Sequence, residues 1–284
     1  MIREALLVGI NDYPGTGNDL LACVNDATQW GYYLRAHGYT VHSLTDSTAT
    51  KANILAQWGG MIGRTSANDG SSLVFMYSGH GTRIARTPAI DAYIQRILPG
   101  TPVDADGYVE AIVPWDAVVA WDGTKLLLDC ELRLLMFGKI HGGTYAIGVL
   151  DSCFAGGLAP TPLGSAKKRA RGVDGARFGS PVPPIVTGHS RMASAAMHNV
   201  ALFLASAEAE VSWEGPIVGA NASAMQYGFF NYAMLQASRA FDPGSTFGEW
   251  GGMAAHLTTL REFDQHPVFA AESAMAARKV TTLI

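Results

Sequence analysis

The chain has 284 residues, a formal net charge of −4 at pH 7 and only 15% charged residues, a balance that excludes the basic footprint of a nucleic-acid or anionic-membrane binder. Its three cysteines, Cys23, Cys130 and Cys153, are unclustered, which excludes a disulfide framework and a zinc spacing and points to a reducing compartment. The N-terminal apolar stretch is cut by Glu4 and Asp12, too short for a secretory signal, and no stretch reaches the uncharged length of a membrane span, so a soluble, cytoplasmic protein is expected.

Taken in order, Ala5 to Ile10 reads as a short buried strand, followed by a turn-rich loop over Asn11 to Gly17. Cys23, Ala27, Trp30 and Leu34 fall on one helical face between about Leu20 and Ala36, and Gly38 is placed to end that helix. Val41 to Leu44 predicts a second strand. Thr48 or Thr50 can cap a helix carrying Ile54, Trp58, Met61 and Ile62. A turn at Asn68-Asp69-Gly70 leads to the apolar run Leu73 to Gly81. Strand, helix, strand, helix, strand is the pattern of a parallel, doubly wound sheet. Thr82 to Tyr108 carries no clear period. Ala111 to Pro114 predicts a short strand and Leu126 to Ile140 a helix. A second long apolar run, Tyr145 to Asp151, predicts another buried parallel strand. Leu158 to Gly188 is rich in Gly, Pro and basic residues and reads as a mobile surface loop. Ala201 to Ser206 predicts a strand, Phe229 to Ala240 and Thr246 to Leu260 helices, and Gln265 to Ala271 a last strand.

The two long apolar runs carry the chemistry. One ends in S-G-H-G, with His80 between glycines. The other ends in D-S-C-F-A-G-G, with Cys153 at the turn. Open α/β sheets place their reactive groups at the carboxyl ends of their strands. If the two strands are neighbours, thiol and imidazole emerge at one rim, which is the minimum equipment of a cysteine nucleophile. No G-x-G-x-x-G or P-loop follows the first strand, which disfavours a nucleotide-binding domain.

These motifs resemble those of the caspase-related cysteine peptidases, and within them the metacaspases and their bacterial orthocaspase relatives. A-L-L-V-G-I-N-D-Y, L-A-C-V-N-D-A, G-F-F-N-Y-A-M-L and Q-H-P-V-F extend the likeness from Ala5 to about Ala271. The resemblance implies a caspase-like three-layer α/β/α sandwich around a mostly parallel six-stranded sheet, in a single domain. Its large-subunit-like part would span about 1–157, a mobile basic linker about 158–188, and a small-subunit-like part about 189–284. It implies a cysteine endopeptidase with a Cys153–His80 dyad, and backbone N–H groups of Gly79 and Cys153 for the oxyanion. The setting of the cysteine is not the Q-A-C-x-G of true caspases, which argues against their Asp preference. Cys23, Asp26, Ser78 and Asp151 match the residues that line a pocket for Arg or Lys at P1 in metacaspases. Two carboxylates suit a planar guanidinium. A protein or peptide with a basic P1 residue is therefore the expected partner, and a monomer the expected state.

Three further expectations follow. K-K-R-A-R, with Lys167, Lys168, Arg169 and Arg171, lies where caspase-like chains are often cut, and reads as a processing loop or as a solvated charged loop. The loop carrying Glu208, Glu210, Trp213 and Glu214 could shape subsites or form a solvated acidic turn. Calcium is disfavoured: Asp129 and Glu131 remain as candidate ligands, but Cys130 lies between them, Val109 stands where the family tends to place an acid, and no acid follows Cys153. No other cofactor is expected. The alternatives are a catalytically silent caspase-like interaction module, and a legumain- or gingipain-type peptidase with another P1 preference.

Overall fold

Seven consecutive buried residues, Ser72–Ser78, form the central part of a six-stranded sheet. The structure is a computed structural model. It describes residues 1–15, 17–65, 70–97, 107–119, 123–132, 139–153, 169–170, 199–206, 210–218, 224–240, 242, 244–259, 265–271 and 273–280. The strands in chain order are β1 (Arg3–Gly9), β2 (Thr40–Thr45), β3 (Ser72–Ser78), β4 (Gly81–Ala85), β5 (Tyr108–Ile112), β6 (Leu127–Leu128), β7 (Tyr145–Asp151), β8 (Arg169–Ala170), β9 (Val200–Leu204), β10 (Trp213–Val218), β11 (Ala224–Gly228) and β12 (Val268–Ala271). The helices are α1 (Cys23–Ala36), α2 (Lys51–Thr65), α3 (Pro88–Ile97), α4 (Trp115–Val119), α5 (Asp129–Glu131), α6 (Phe229–Arg239), α7 (Phe247–Thr259) and α8 (Ser273–Ala276).

The main sheet has the order β12-β9-β7-β3-β1-β2, and every pair is parallel except β12 with β9. This is the mostly parallel six-stranded sandwich expected. Alternate side chains of its strands face opposite layers. Leu6, Val8, Phe75 and Tyr77 pack with Ile54, Trp58 and Met61 of α2 and with the β4–β5–β6 sheet. Ala5, Leu7, Val74, Met76, Ile147 and Val149 pack with Ala27, Trp30 and Leu34 of α1, Met234 of α6 and Trp250 of α7. Burial on both faces explains why the runs lack polar alternation.

Local signals fix the ends of several helices. Asn53 N–H donates to Thr50 Oγ1 at 3.2 Å, so Thr50 caps α2. Gly38 adopts φ +81°, and the N–H groups of Gly38 and Tyr39 return to the carbonyls of Arg35 and Leu34, a glycine stop of the expected kind. Thr246 and Glu249 bond reciprocally at the start of α7, a capping box.

Two segments differ from expectation. Leu126 to Ile140 is not one helix: Leu127–Leu128 pair with Ala111 and Ile112 of β5, and the helical turn begins only at Asp129, while 133–138 lie outside the described residues. Apolar residues at helical spacing there serve a strand edge that needs β5 as partner, a tertiary override of local pattern. The unassigned stretch after Gly81 contains β4 and α3. β4, β5 and β6 form one small antiparallel sheet, and β8, β10 and β11 another. Of the linker over 158–188, only Arg169 and Ala170 are described.

Candidate active site

The register of the central strands brings the two motif ends together. Ser78 of β3 pairs with Asp151 of β7, so His80 and Cys153, each two residues further on, leave adjacent strands at the same level. Neighbouring strands lie about 4.8 Å apart. Contact between the two turns is close: a β-carbon on Gly81 would fall 1.2 Å from the Cys153 carbonyl oxygen and 3.3 Å from its Cα. Only glycine admits that approach.

His80 is held on several sides. Its N–H donates to Tyr13 Oη at 2.8 Å, and its carbonyl accepts from Tyr77 Oη at 2.8 Å and from Val113 N–H at 3.0 Å. The Tyr13 ring lies against the imidazole with centroids 4.3 Å apart. His80 Nε2 lies 2.6 Å from the Asn18 carbonyl oxygen. A carbonyl only accepts, so Nε2 carries the proton, and in the neutral ring Nδ1 is the basic nitrogen. Burial and the neighbouring Tyr77 push the Tyr13 hydroxyl well above its usual range, so it stays protonated beside the imidazole.

Cys153 is 1% exposed. Its sulfur accepts from Ser212 N–H at 3.0 Å and donates to Ser212 O at 3.6 Å. Ser212 immediately precedes β10 and also donates its hydroxyl to Asp151 Oδ1. Gln265 Nε2 reaches Ser212 Oγ at 3.4 Å and the Ala205 carbonyl at 2.8 Å, which fastens this segment to the sheet. By contrast, the Cys130 thiol is pushed up to about 12, chiefly by burial and then by Asp129 and Glu131, and so is no nucleophile at neutral pH.

Asp26, Asp151, Ser78 and Cys23 are all 0% exposed, and hydrogen bonds through Asn231 and Ser78 tie the two aspartates and the serine together. Asp26 Oδ2 accepts from Ser78 Oγ at 2.8 Å, and both its oxygens accept from Gly228 N–H at 3.0 and 3.1 Å. Asp26 does not cap α1. That role falls to Asn11, whose Oδ1 accepts from Cys23 and Val24 N–H, and to Glu214, whose carboxylate accepts from Leu21 and Ala22 N–H. Glu214 also accepts from the Cys23 thiol at 3.8 Å. Anionic oxygens at a helix start meet its free N–H groups. The two aspartates share one neighbour: Asn231 Nδ2 lies 3.2 Å from Asp26 Oδ2 and 2.8 Å from Asp151 Oδ2.

The remaining candidates divide. The Gly79 N–H is directed at the Asp151 carbonyl at 3.3 Å, so here it closes the β3–β7 ladder. Arg169 lies on β8, which runs antiparallel to β10 with Arg169 opposite Glu214 and Ala170 opposite Trp213. Lys167, Lys168, Arg171 and Glu208 lie outside the described residues. Asp129 and Glu131 lie on α5. Glu131 accepts from the Lys51 ammonium at 2.7 Å, from Leu128 N–H at 2.9 Å and from the Tyr93 hydroxyl. Among the described residues no group of three His, Cys, Asp or Glu side chains could hold a metal ion. A cavity of about 320 Å³ beside Lys51 is lined by Ile84, Ile90, Tyr93, Leu126 and Leu128, with neither His80 nor Cys153 in its lining.

Sequence reasoning missed Asn18, Ser212 and Asn231. Asn18 and Ser212 bond His80 and Cys153 through their main chains, which leave no side-chain signature. Asn231 is visible only as a polar residue on an otherwise apolar helix start.

The Caspase domain family description matches residues 2–263. Metacaspase-1B of Aspergillus fumigatus (strain CBS 144.89 / FGSC A1163 / CEA10) is 34% identical over 170 residues, covering 56% of this chain and 37% of the relative. Metacaspase-4 of Arabidopsis thaliana is 32% identical over 185 residues, 61% of this chain and 39% of the relative. Metacaspase-9 of Arabidopsis thaliana is 34% identical over 165 residues, 55% and 44% respectively. The chain thus spans less than half the length of these curated relatives. A crystal structure of a protein from Geobacter sulfurreducens matches with a TM-score of 0.63, covering 99% of both chains at 18% identity, a likeness of fold alone.

Proposed function

The chain belongs to the caspase-domain family, of metacaspase type, and from that premise we propose that it is a cysteine endopeptidase cutting peptide bonds after Arg or Lys. The observation that carries the reading is the pairing of Ser78 with Asp151, which aligns His80 and Cys153 at one rim with the Nε2 proton committed to Asn18. Cys153, as thiolate, attacks the scissile carbonyl and forms the C–S bond. The charge that develops on the carbonyl oxygen falls to the Cys153 N–H, with the Gly79 N–H joining once its long bond to Asp151 O gives way. His80 Nδ1 takes the thiol proton and passes it to the amine as the C–N bond breaks. Water then hydrolyses the thioester, with the same nitrogen as base.

Asp26 and Asp151 are the acceptors for the basic side chain, with Ser78 and Cys23 beside them. Cys153 is 1% exposed and its sulfur bonds the Ser212 main chain, a contact that an attacking sulfur must give up. The antiparallel pairing of Arg169 and Ala170 with β10 supports a related reading, that the basic linker is cut by the enzyme itself. An extended chain added to a strand edge is a common way to hold a peptide. The Lys51 ammonium on Glu131 supports activity without calcium, because a fixed cation already neutralises that carboxylate.

Fluorogenic peptides that differ only at P1 test the reading. Wild type should cleave the Arg and Lys peptides roughly 10³-fold or more faster than the Asp peptide, with or without a calcium chelator. Cys153→Ala should cleave none, and only wild type should fragment within the basic linker on a gel. Preference for Asp at P1, or for neither class, would sink the pocket assignment. Loss of activity in chelator that calcium restores would reverse the calcium reading.

A further inference from the structure

We infer that Asn231 is the positioning residue that joins Asp26 and Asp151 into one anionic pair, and thereby sets the enzyme's selectivity for a basic substrate side chain. This rests on the Arg/Lys reading above.

Asn231 lies in the first turn of α6, three residues after Gly228, and is fully buried. Its backbone N–H is one of the helix-start donors without an intrahelical partner. That N–H donates to Asp151 Oδ2 at 3.2 Å. The orientation of its side-chain amide is fixed chemically. Trp30 Nε1–H, which can only donate, lies 2.9 Å from Asn231 Oδ1, so the amide nitrogen must face the carboxylates. One nitrogen with two protons then serves one oxygen of each aspartate. The arrangement spans three elements, since Asp26 stands on α1 and Asp151 ends β7.

The physical consequence concerns like charge. Two carboxylates sharing a site repel, and one of them tends to hold a proton. A protonated pair cannot offer two anionic acceptors to a guanidinium fork. An N–H donor bonds a carboxylate oxygen more strongly than a neutral carboxyl, so the Asn231 amide favours the doubly ionised state and fixes the spacing of the two oxygens. The other titratable groups on the elements joined to the pair are Cys23 on α1, bonded to Glu214 of β10, Cys153, linked to Asp151 through Ser212, and His80, two residues beyond the Ser78 that bonds Asp26. A purely structural role as a satisfied core amide would use the same hydrogen bonds, and its loss would lower stability while moving none of the readouts below.

Two measurements on Asn231→Leu separate the inference from the reading beneath it. Side-chain carboxyl ¹³C titration, assigned with Asp26→Asn and Asp151→Asn, reads the pair directly and needs no substrate. One of the two aspartates should titrate at higher pH in Asn231→Leu than in wild type. Kinetics on the Arg P1 peptide should show KM raised roughly tenfold or more near neutral pH. The gap to wild type should narrow as pH rises, with kcat little changed. Asn231→Ser keeps one donor, should fall between the two, and replaces the leucine variant if that one does not fold. Unchanged carboxyl titration in a folded variant overturns the bridge. An altered titration with unchanged KM leaves the bridge but overturns its role in selectivity, and a wild type without Arg or Lys preference removes the pocket itself.

Discussion

Where the His80 and Cys153 turns meet, the Gly81 Cα leaves no room for a β-carbon against the Cys153 carbonyl. Neither partner can yield cheaply, because both are backbone. Gly81→Ala must therefore separate the His80 turn from the Cys153 turn, and displacements near 1 Å in such constellations cost about 10²-fold in rate. We expect Gly81→Ala to lose at least that much kcat/KM on the Arg peptide, while its far-ultraviolet circular dichroism stays that of the wild type. Activity within a few-fold of wild type would mean that the two turns do not need this contact. The same rim shows what the residues disclose by themselves. His80 and Cys153 stand out in the sequence because each closes an apolar run with small residues beside it. The carbonyl of Asn18 and the main chain of Ser212 do not stand out, because any residue could supply them.

Between elements, a single cation organises the loop that carries α5. Lys51, the first residue of α2, sends its ammonium to Glu131 at 2.7 Å and to the carbonyls of Leu126 and Thr124 at 2.8 and 3.2 Å. Its side chain is 15% exposed and that of Glu131 1%. The Tyr93 hydroxyl also bonds Glu131, and burial together with that carboxylate raises its pKa. Removing one member of a buried pair leaves the other charge uncompensated, at a cost of about 3–5 kcal/mol. Lys51→Met should lower the urea-unfolding free energy towards the smaller of those figures, since the ammonium is not wholly buried. Lys51→Met with Glu131→Gln should recover much of the loss. A double variant no more stable than the single one would show that the cation acts through the carbonyls rather than through the carboxylate. No periodicity announces this loop: the Leu126 to Ile140 apolar spacing suggests a helix, and only the β5 edge and the Lys51 contact select a strand and a short turn instead.

Across the whole molecule, the strands of the main sheet and α1, α2, α6 and α7 were legible, because the inner strands show their burial as apolar runs and these helices as single apolar faces, whereas α3 lies in a stretch without a clear period. Of the two small sheets only β5 was expected, since β4 interrupts its run with Thr82 and Arg83 and β6 has just two residues, too little for an apolar run to announce a strand. The electrostatic tie between layers was equally hidden. Glu4 of β1 accepts from Arg64 of α2 through both oxygens, at 2.7 and 2.6 Å, and lies 2.9 Å from His42 of β2. The Arg64 guanidinium, then His42, hold the Glu4 carboxyl below its ordinary range against the opposing effect of burial. A depressed carboxyl stabilises the fold above its unfolded pKa near 4.3, and that contribution is lost as pH falls through the lower folded value. The Arg64 side chain is 48% exposed, so the contribution should be at most about 1 kcal/mol. Arg64→Ala should therefore melt lower than wild type at pH 7, where Glu4 is ionised in both states. The two melting temperatures should converge as the pH is lowered through 4 towards 3. A difference that stays constant across that range would assign the loss to the packing of the Arg64 stem against the sheet, and not to its charge.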